Sequence, residues 1–352
     1  MRMRGHVFIV NERTLPKHLE YMFVGTSAGE KEHNISLLAD MMRVKGGDFI
    51  FFYIEGKSDK KGRFFGIFKA KDDLVYHVKG VKAKQPGLSV KLVYRKFIEP
   101  YEIYENGVLE WIALDKLPIY SREILWTLIY RKMKARRGNT MLFPWETERL
   151  VNLIQEANNG KFLSAECFSF DGESYKIRPY DRVYEHNWGN EVVINWEDVE
   201  KSETYFQAYI LQNLKVGDND FYPEIFGKNI VWIGNEVFAG SGMQKIDLLT
   251  IERESHIRYI FRVIELKHPK SRTNINFAPE QLEYYINWAR EDIGGHLLGA
   301  RQFNIKPILL VLTKETNSIS EDVVNKVRNL KEIALEPEIW EIDFEKVLFQ
   351  IL

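Results

Sequence analysis

Five consecutive aliphatic residues, Ile308-Leu309-Leu310-Val311-Leu312, stand between Pro307 and Thr313. A run this short cannot cross a bilayer. As a strand it is apolar on both faces, so both faces must be covered, which is the habit of strands in sheets flanked by helices. The surrounding sequence offers such elements. Ser202–Leu214 reads as an amphipathic helix with Ser202 as its N-cap. Ile230–Phe238 reads as a strand, and Lys245–Ile251 with Ile257–Leu266 as a hairpin around Glu252–His256. Pro279–Arg290 and Glu321–Leu330 have helical periodicity. Helix, three strands, helix and buried strand is an α/β order, so residues 196–352 are expected to form an α/β domain with a mixed central sheet.

With 352 residues, the chain is long enough for a second core and a second domain. The net charge of −1 hides an asymmetry. Residues 1–150 hold 27 Lys and Arg against 18 Asp and Glu, and the remaining residues hold 22 against 32. A basic N-terminal part suits a polyanionic partner, and an acidic remainder suits a domain that gathers carboxylates around a divalent cation. No stretch reaches the 18 or so apolar residues of a membrane span, and Met1-Arg2-Met3-Arg4 leads straight into a strand-like segment without a secretory signal pattern. The single cysteine, Cys167, leaves no internal disulfide framework and no cysteine-built zinc site. A cytoplasmic location is the expectation.

The N-terminal part reads as short strands: His6–Asn11, Asp48–Ile54 after the Gly46-Gly47 turn, Arg63–Ala70, and Ser89–Phe97. Helices are expected at Asn34–Val44, Arg122–Arg137 and Trp145–Asn158, and residues 161–195 as a connector with a hairpin. Small β-rich domains with one or two helices often close as barrels, so a β-barrel with helices is expected over residues 1–160. This half has positive charge, aromatics on short strands and no catalytic cluster, which are traits of a nucleic-acid binder. The run Lys132, Lys134, Arg136, Arg137 ends a helical segment, where it could contact phosphates or simply face solvent.

The chemistry concentrates in Lys245-Ile246-Asp247-Leu248-Leu249 and Ile264-Glu265-Leu266-Lys267. Alternation along a strand sends Glu265 and Lys267 to one face and Ile264 and Leu266 to the other. Asp247, on the neighbouring strand of the hairpin, can meet them. Asp247, Glu265 and the carbonyl oxygen of Leu266 make a hard oxygen set suited to Mg²⁺, with Mn²⁺ as a substitute. Glu-x-Lys alone is common on solvent-facing strands; the signal is its conjunction with Asp247, with an acid-bearing helix before it, and with Gln281 and Tyr285 on the helix after it.

From about Ser202 to Trp288 this conjunction resembles the PD-(D/E)xK nuclease superfamily, in particular archaeal and actinobacterial endonucleases of the NucS kind and some restriction enzymes. The resemblance implies a restriction-endonuclease-like fold and catalytic roles for Asp247, Glu265 and Lys267. It further implies a first-helix acid at Glu203, with Glu200 as the alternative, and a Gln-x-x-x-Tyr helix at Gln281 and Tyr285. The N-terminal part resembles the EVE/YTH/PUA-like barrels in His6–Asn11, Gly47–Tyr53 and Gly62–Phe68; Leu109-Glu110-Trp111-Ile112 with Leu117-Pro118 is similar to a late YTH strand. That resemblance implies a pocket for a modified base, with Asn34 and Ser36 as polar contacts and Tyr53, His77 and Trp111 as stacking faces. No Trp lies between Tyr21 and Asn34, where YTH domains place one cage residue. Together the two resemblances imply a modification-dependent DNA endonuclease. A repair or structure-specific nuclease, and an RNA- or DNA-binding regulator with an inactive nuclease fold, are the other readings. Cutting both strands of a duplex implies a homodimer, with Trp188–Trp196 and Trp340–Leu352 as segments to examine.

Overall fold

The computed structural model describes residues 4–27, 34–56, 62–78, 91–115, 138–181, 189–240, 244–271, 273–293, 302–313, 319–345 and 348–351. The chain divides into two compact units, Met1–Val193 and Ile194–Leu352. Both mix α and β structure, and no helix among the described residues is long and apolar enough to cross a membrane.

In the first unit the strands are β1 (Gly5–Val10), β2 (Phe23–Thr26), β3 (Phe49–Ile54), β4 (Arg63–Ala70), β5 (Tyr76–His77), β6 (Tyr94–Pro100), β7 (Val108–Leu109), β8 (Asn139–Leu142), β9 (Cys167–Asp171), β10 (Lys176–Tyr180) and β11 (Asn190–Glu191). The helices are α1 (Leu15–Glu20), α2 (Ile35–Arg43), α3 (Glu110–Asp115) and α4 (Pro144–Ala157). The main sheet runs β11-β5-β6-β4-β3-β1-β8, with β2 on β6 and β7 on β4. β1 and β3 are parallel, while β8 and β4 flank them antiparallel. Among the described residues this path runs from β11 to β8 as a mixed half-barrel sheet, with Gly138 before β8 close to Thr26 of β2.

Every residue of β3 is buried, because α4 and neighbouring strands cover one face while the other meets the rest of the unit. Val7, Phe51, Tyr53, Phe64, Leu142, Leu150 and Ile154 share one core. The β9–β10 hairpin is not a free connector: Phe168 and Phe170 meet Phe68 and Phe65 edge-on, and Leu163 and Lys176 bridge to Ile103 and Asn106. Burial of these rings ties the hairpin to the first unit.

The second unit contains β12 (Gly217–Asp218), β13 (Asn229–Ala239), β14 (Gln244–Arg253), β15 (Arg258–Lys267), β16 (Gln302–Thr313), β17 (Glu338–Asp343) and β18 (Leu348–Ile351). Its helices are α5 (Trp196–Val199), α6 (Glu203–Asn213), α7 (Pro223–Phe226), α8 (Ala278–Trp288) and α9 (Glu321–Asn329). The sheet runs in sequence order from β12 to β18. β13, β14 and β15 pair antiparallel, then β15, β16 and β17 pair parallel. The aliphatic run of β16 lies between β15 and β17, buried as its composition requires. Within the dimer candidates, the Trp196 indole donates to the Phe344 carbonyl at 2.9 Å and stacks on the Phe344 ring, so it is engaged inside this unit.

Candidate active site

β14 and β15 pair from Arg253↔Tyr259 to Leu248↔Ile264, and the register ends there. Beyond that point the carboxylate of Asp247 takes over from the ladder: the Leu266 N–H donates to Asp247 Oδ2 at 2.8 Å. On its other side the β13–β14 register passes from Asn235↔Leu248 to Val237↔Ile246, over Glu236 and Asp247. Glu236 has φ +50°, in the left-handed region that a non-glycine residue adopts at a cost. The Asp247 carbonyl accepts instead from Gln207 Nε2 on α6 at 3.0 Å, and Asn235 Nδ2 donates to Gln207 Oε1 at 3.1 Å. Two interrupted ladders thus leave Asp247 half-buried at the site, held by a helix and by the next strand.

Glu265 and Lys267 project together from β15, 2% and 3% exposed. The Lys267 ammonium donates to Glu265 Oε1 at 2.6 Å, Thr273 Oγ1 at 3.1 Å and Gln281 Oε1 at 3.1 Å. An ammonium has three protons, so all three are directed. Glu265 Oε2 is buried and accepts from no N–H or hydroxyl group; the neighbouring acid, Asp247, is the group that shares a proton with Glu265 when protonated. Glu203, in the first turn of α6 behind the Ser202 N-cap, accepts from the Ser271 hydroxyl. Tyr285 fixes α8 on the sheet by donating to the Lys245 carbonyl at 2.6 Å. Beside Lys267 opens a cavity of about 430 Å³, walled by His268, Ser271, Thr273, Ile275 and Leu312.

The electrostatics follow from this crowding. Burial, and then the charges of Glu265 and Glu203, push the Asp247 carboxyl well above the usual carboxylate range, opposed by the Leu266 N–H. Burial also raises Glu265, with Lys267 pulling the other way. Two carboxyl groups that both resist ionisation, one with a buried oxygen lacking a donor, are stabilised by a cation placed between them. Among the described residues no three His, Cys, Asp or Glu side chains cluster so as to hold an ion alone. Two carboxylates completed by a carbonyl oxygen and water are the kind of set Mg²⁺ accepts, so the residues fit that ion.

The structure therefore brings Glu203, Asp247, Glu265, Lys267 and Gln281 together. Glu200 instead ends α5, where its backbone carbonyl accepts from Lys270 Nζ at 2.9 Å. Leu266 buries its side chain in the core and uses its N–H on Asp247. Thr273, Ser271, Gln207 and Glu236 were not singled out from the sequence. Ser271 and Thr273 follow Lys267 closely in the chain, which is the signal that could have found them.

In the first unit the reader candidates separate. Tyr53 is fully buried, its ring tilted on Phe64 at 4.9 Å, so it is a core residue and not a stacking face. Trp111 is 48% exposed, but on α3 rather than on the expected strand, since the β4–β7 ladder ends at Leu109. His77 is half-buried on β5, tilted against Tyr94 at 5.4 Å. Asn34 precedes α2 and accepts the Ser36 hydroxyl at 2.6 Å, both at the surface. Lys132, Lys134, Arg136, Arg137 and the Arg122–Arg137 helix lie outside the described residues.

No family model matches the chain, and no curated protein does. Among solved structures, human THYN1 protein, in complex with 5-methylcytosine-containing DNA, aligns over 43% of this chain and 98% of its own at 12% identity, with a TM-score of 0.29.

Proposed function

We propose that this chain is a modification-dependent DNA endonuclease, its second unit hydrolysing a phosphodiester with Mg²⁺ and its first unit holding a methylated base. The observation that carries the nuclease reading is the Glu265 oxygen without a donor, beside Asp247 and next to a fully hydrogen-bonded Lys267. Asp247, Glu265 and the Leu266 carbonyl would hold the ion, and Mn²⁺ would substitute for it. When bound, the cation offsets charge building on the phosphodiester and acidifies water. Lys267 presents a fixed positive charge to the same place. To touch phosphate or water it exchanges one of its three contacts, and the exposed Thr273 is the one that yields most easily. In the reaction, water oxygen bonds to phosphorus and gives up a proton to solvent, the bond to the leaving alcohol oxygen breaks, and that oxygen takes up a proton from solvent.

The reader assignment rests on the basic balance of residues 1–150 and on the partial exposure of Trp111. Cleavage of both strands would use a twofold dimer, each strand meeting its own centre. Methylated and unmethylated plasmids, and mismatched or branched duplexes, incubated with Mg²⁺ and with EDTA, test the reading. Mg²⁺-dependent cleavage of the methylated plasmid alone is expected. Equal cleavage of both plasmids, or preference for branched DNA, would point to a repair nuclease. Binding without cleavage of any substrate would point to a regulator.

A further inference from the structure

The loop that follows Lys267 is fastened to the junction of α5 and α6 at three successive points. The His268 ring accepts the Lys270 N–H on Nδ1 at 3.0 Å, so its Nε2 carries the proton and donates to the Val199 carbonyl at 3.1 Å. Lys270 Nζ donates to the Glu200 carbonyl at 2.9 Å. Ser271 Oγ accepts the His268 N–H at 2.8 Å, and the Ser271 N–H returns to the His268 carbonyl at 2.8 Å. A hydroxyl has one proton to give. With His268 N–H occupying an acceptor site of Ser271, that proton goes to Glu203 Oε2. The Glu203 side chain is thereby fixed from outside its own helix, by a residue four positions after Lys267.

We propose that Ser271 is a positioning residue for the nuclease centre, holding the Glu203 carboxylate where its charge and the water it orders act on a cation held by Asp247 and Glu265. The inference rests on the nuclease reading above. Two facts support it. Glu203 lies near enough for its charge to bear on both Asp247 and Glu265. Asp247 and Glu265 alone are a sparse set of direct donors, so a third carboxylate contributes through water and field, where its orientation decides its worth. An unfixed Glu203 on the first turn of α6 would have several rotamers, of which few aim inward.

The test is Mn²⁺ binding to the full chain, followed by calorimetry and by the Mn²⁺ resonance signal, with Asp247→Ala as the reference for a lost site. Ser271→Ala is expected to weaken Mn²⁺ binding roughly tenfold, the usual scale for losing a group that orients a metal site. Ser271→Thr, which keeps the hydroxyl, should restore most of it. Glu203→Gln should weaken binding to a similar degree, and the double variant Ser271→Ala/Glu203→Gln should be no worse than Glu203→Gln. Circular dichroism confirms the fold of each. Wild-type affinity in Ser271→Ala, with weakened binding in Glu203→Gln, would overturn the positioning role and leave the nuclease reading standing. Equal Mn²⁺ binding by wild type and Asp247→Ala would overturn the metal centre itself, and the inference with it.

Discussion

Each unit of this molecule holds two like charges wholly or partly out of water, positive in the first and negative in the second. In the first, Lys45 and Lys96 are almost wholly enclosed. Burial brings Lys96 down to about 7 and Lys45 to about 8, and the nearby Asp73 works against this in both. In the second, burial drives Asp247 and Glu265 upward. What separates the pairs is how they are closed. Lys96 donates to the Leu74 carbonyl at 3.0 Å inside a folded loop, whereas Glu265 ends in an oxygen with no donor where two strands part. Lys96 is tied to the backbone of its own unit, while Glu265 keeps a buried oxygen free beside a second acid, an arrangement that a cation would relieve.

The largest test of this contrast is catalytic. Asp247→Ala, Glu265→Ala and Lys267→Ala should each lower Mg²⁺-dependent cleavage by about a thousandfold or more while leaving DNA affinity in gel shifts nearly unchanged. Full activity in Asp247→Ala would erase the functional difference between the units. Next in size is packing. Tyr53→Ala should destabilise the protein by about 3–5 kcal/mol, as large aromatic truncations in cores do. Trp111→Ala, at a half-exposed position, should cost clearly less than Tyr53→Ala. Denaturant titration of both variants checks the reassignment of Tyr53, and a DNA-affinity loss confined to Trp111→Ala would keep that ring as a reader residue.

The pH dependence sharpens the comparison further. For the lysines the folded pKa is lowered, so between about 7 and the ordinary 10.5 the unfolded chain binds more protons, and stability rises with pH across that window. For the two carboxyls the folded pKa is raised, so the folded state binds more protons. Their contribution is fully present below the ordinary carboxylate range and is lost as pH rises through the elevated values. In EDTA at neutral pH, Asp247→Asn should therefore melt a few degrees above wild type, and Lys96→Met should flatten the alkaline rise. Calorimetric melts from pH 4 to about 10 read both, within the range where these groups titrate. An Asp247→Asn variant that melts below wild type would mean that its carboxylate is not strained in the metal-free protein.

Much of the second unit was legible because its chemistry rides on regular periodicity. Alternation on β15 put Glu265 and Lys267 on one face, and Ser202 marked the helix start that presents Glu203. Gln207 was not legible, since it acts between elements where no period predicts contact, and Ser271 and Thr273 were marked only by their closeness to Lys267 in the chain. Glu236 lies inside a strand-like run, and only its backbone shows the interruption beside Asp247. Tyr53 was misread although a signal was present. Phe49-Ile50-Phe51-Phe52-Tyr53-Ile54 is as continuously apolar as Ile308–Leu312, and the same reasoning buries both faces. How far the barrel closes was not legible either: local strand patterns do not specify whether the two ends of a sheet meet.

The seam at β15 has a consequence for how the molecule comes into being. On one side β15 pairs with β14 across the short turn at 254–257; on the other it pairs in parallel with β16 only after the chain has run through residues 268–301. Hairpins close within microseconds, while parallel pairing waits on a long loop closure. The strands that carry Asp247 and Glu265 therefore meet early, before β16 joins the sheet. Pulse-labelled amide exchange during refolding should find the β14–β15 rungs protected before those of β15–β16; the opposite order would mean that the parallel half of the sheet nucleates the unit.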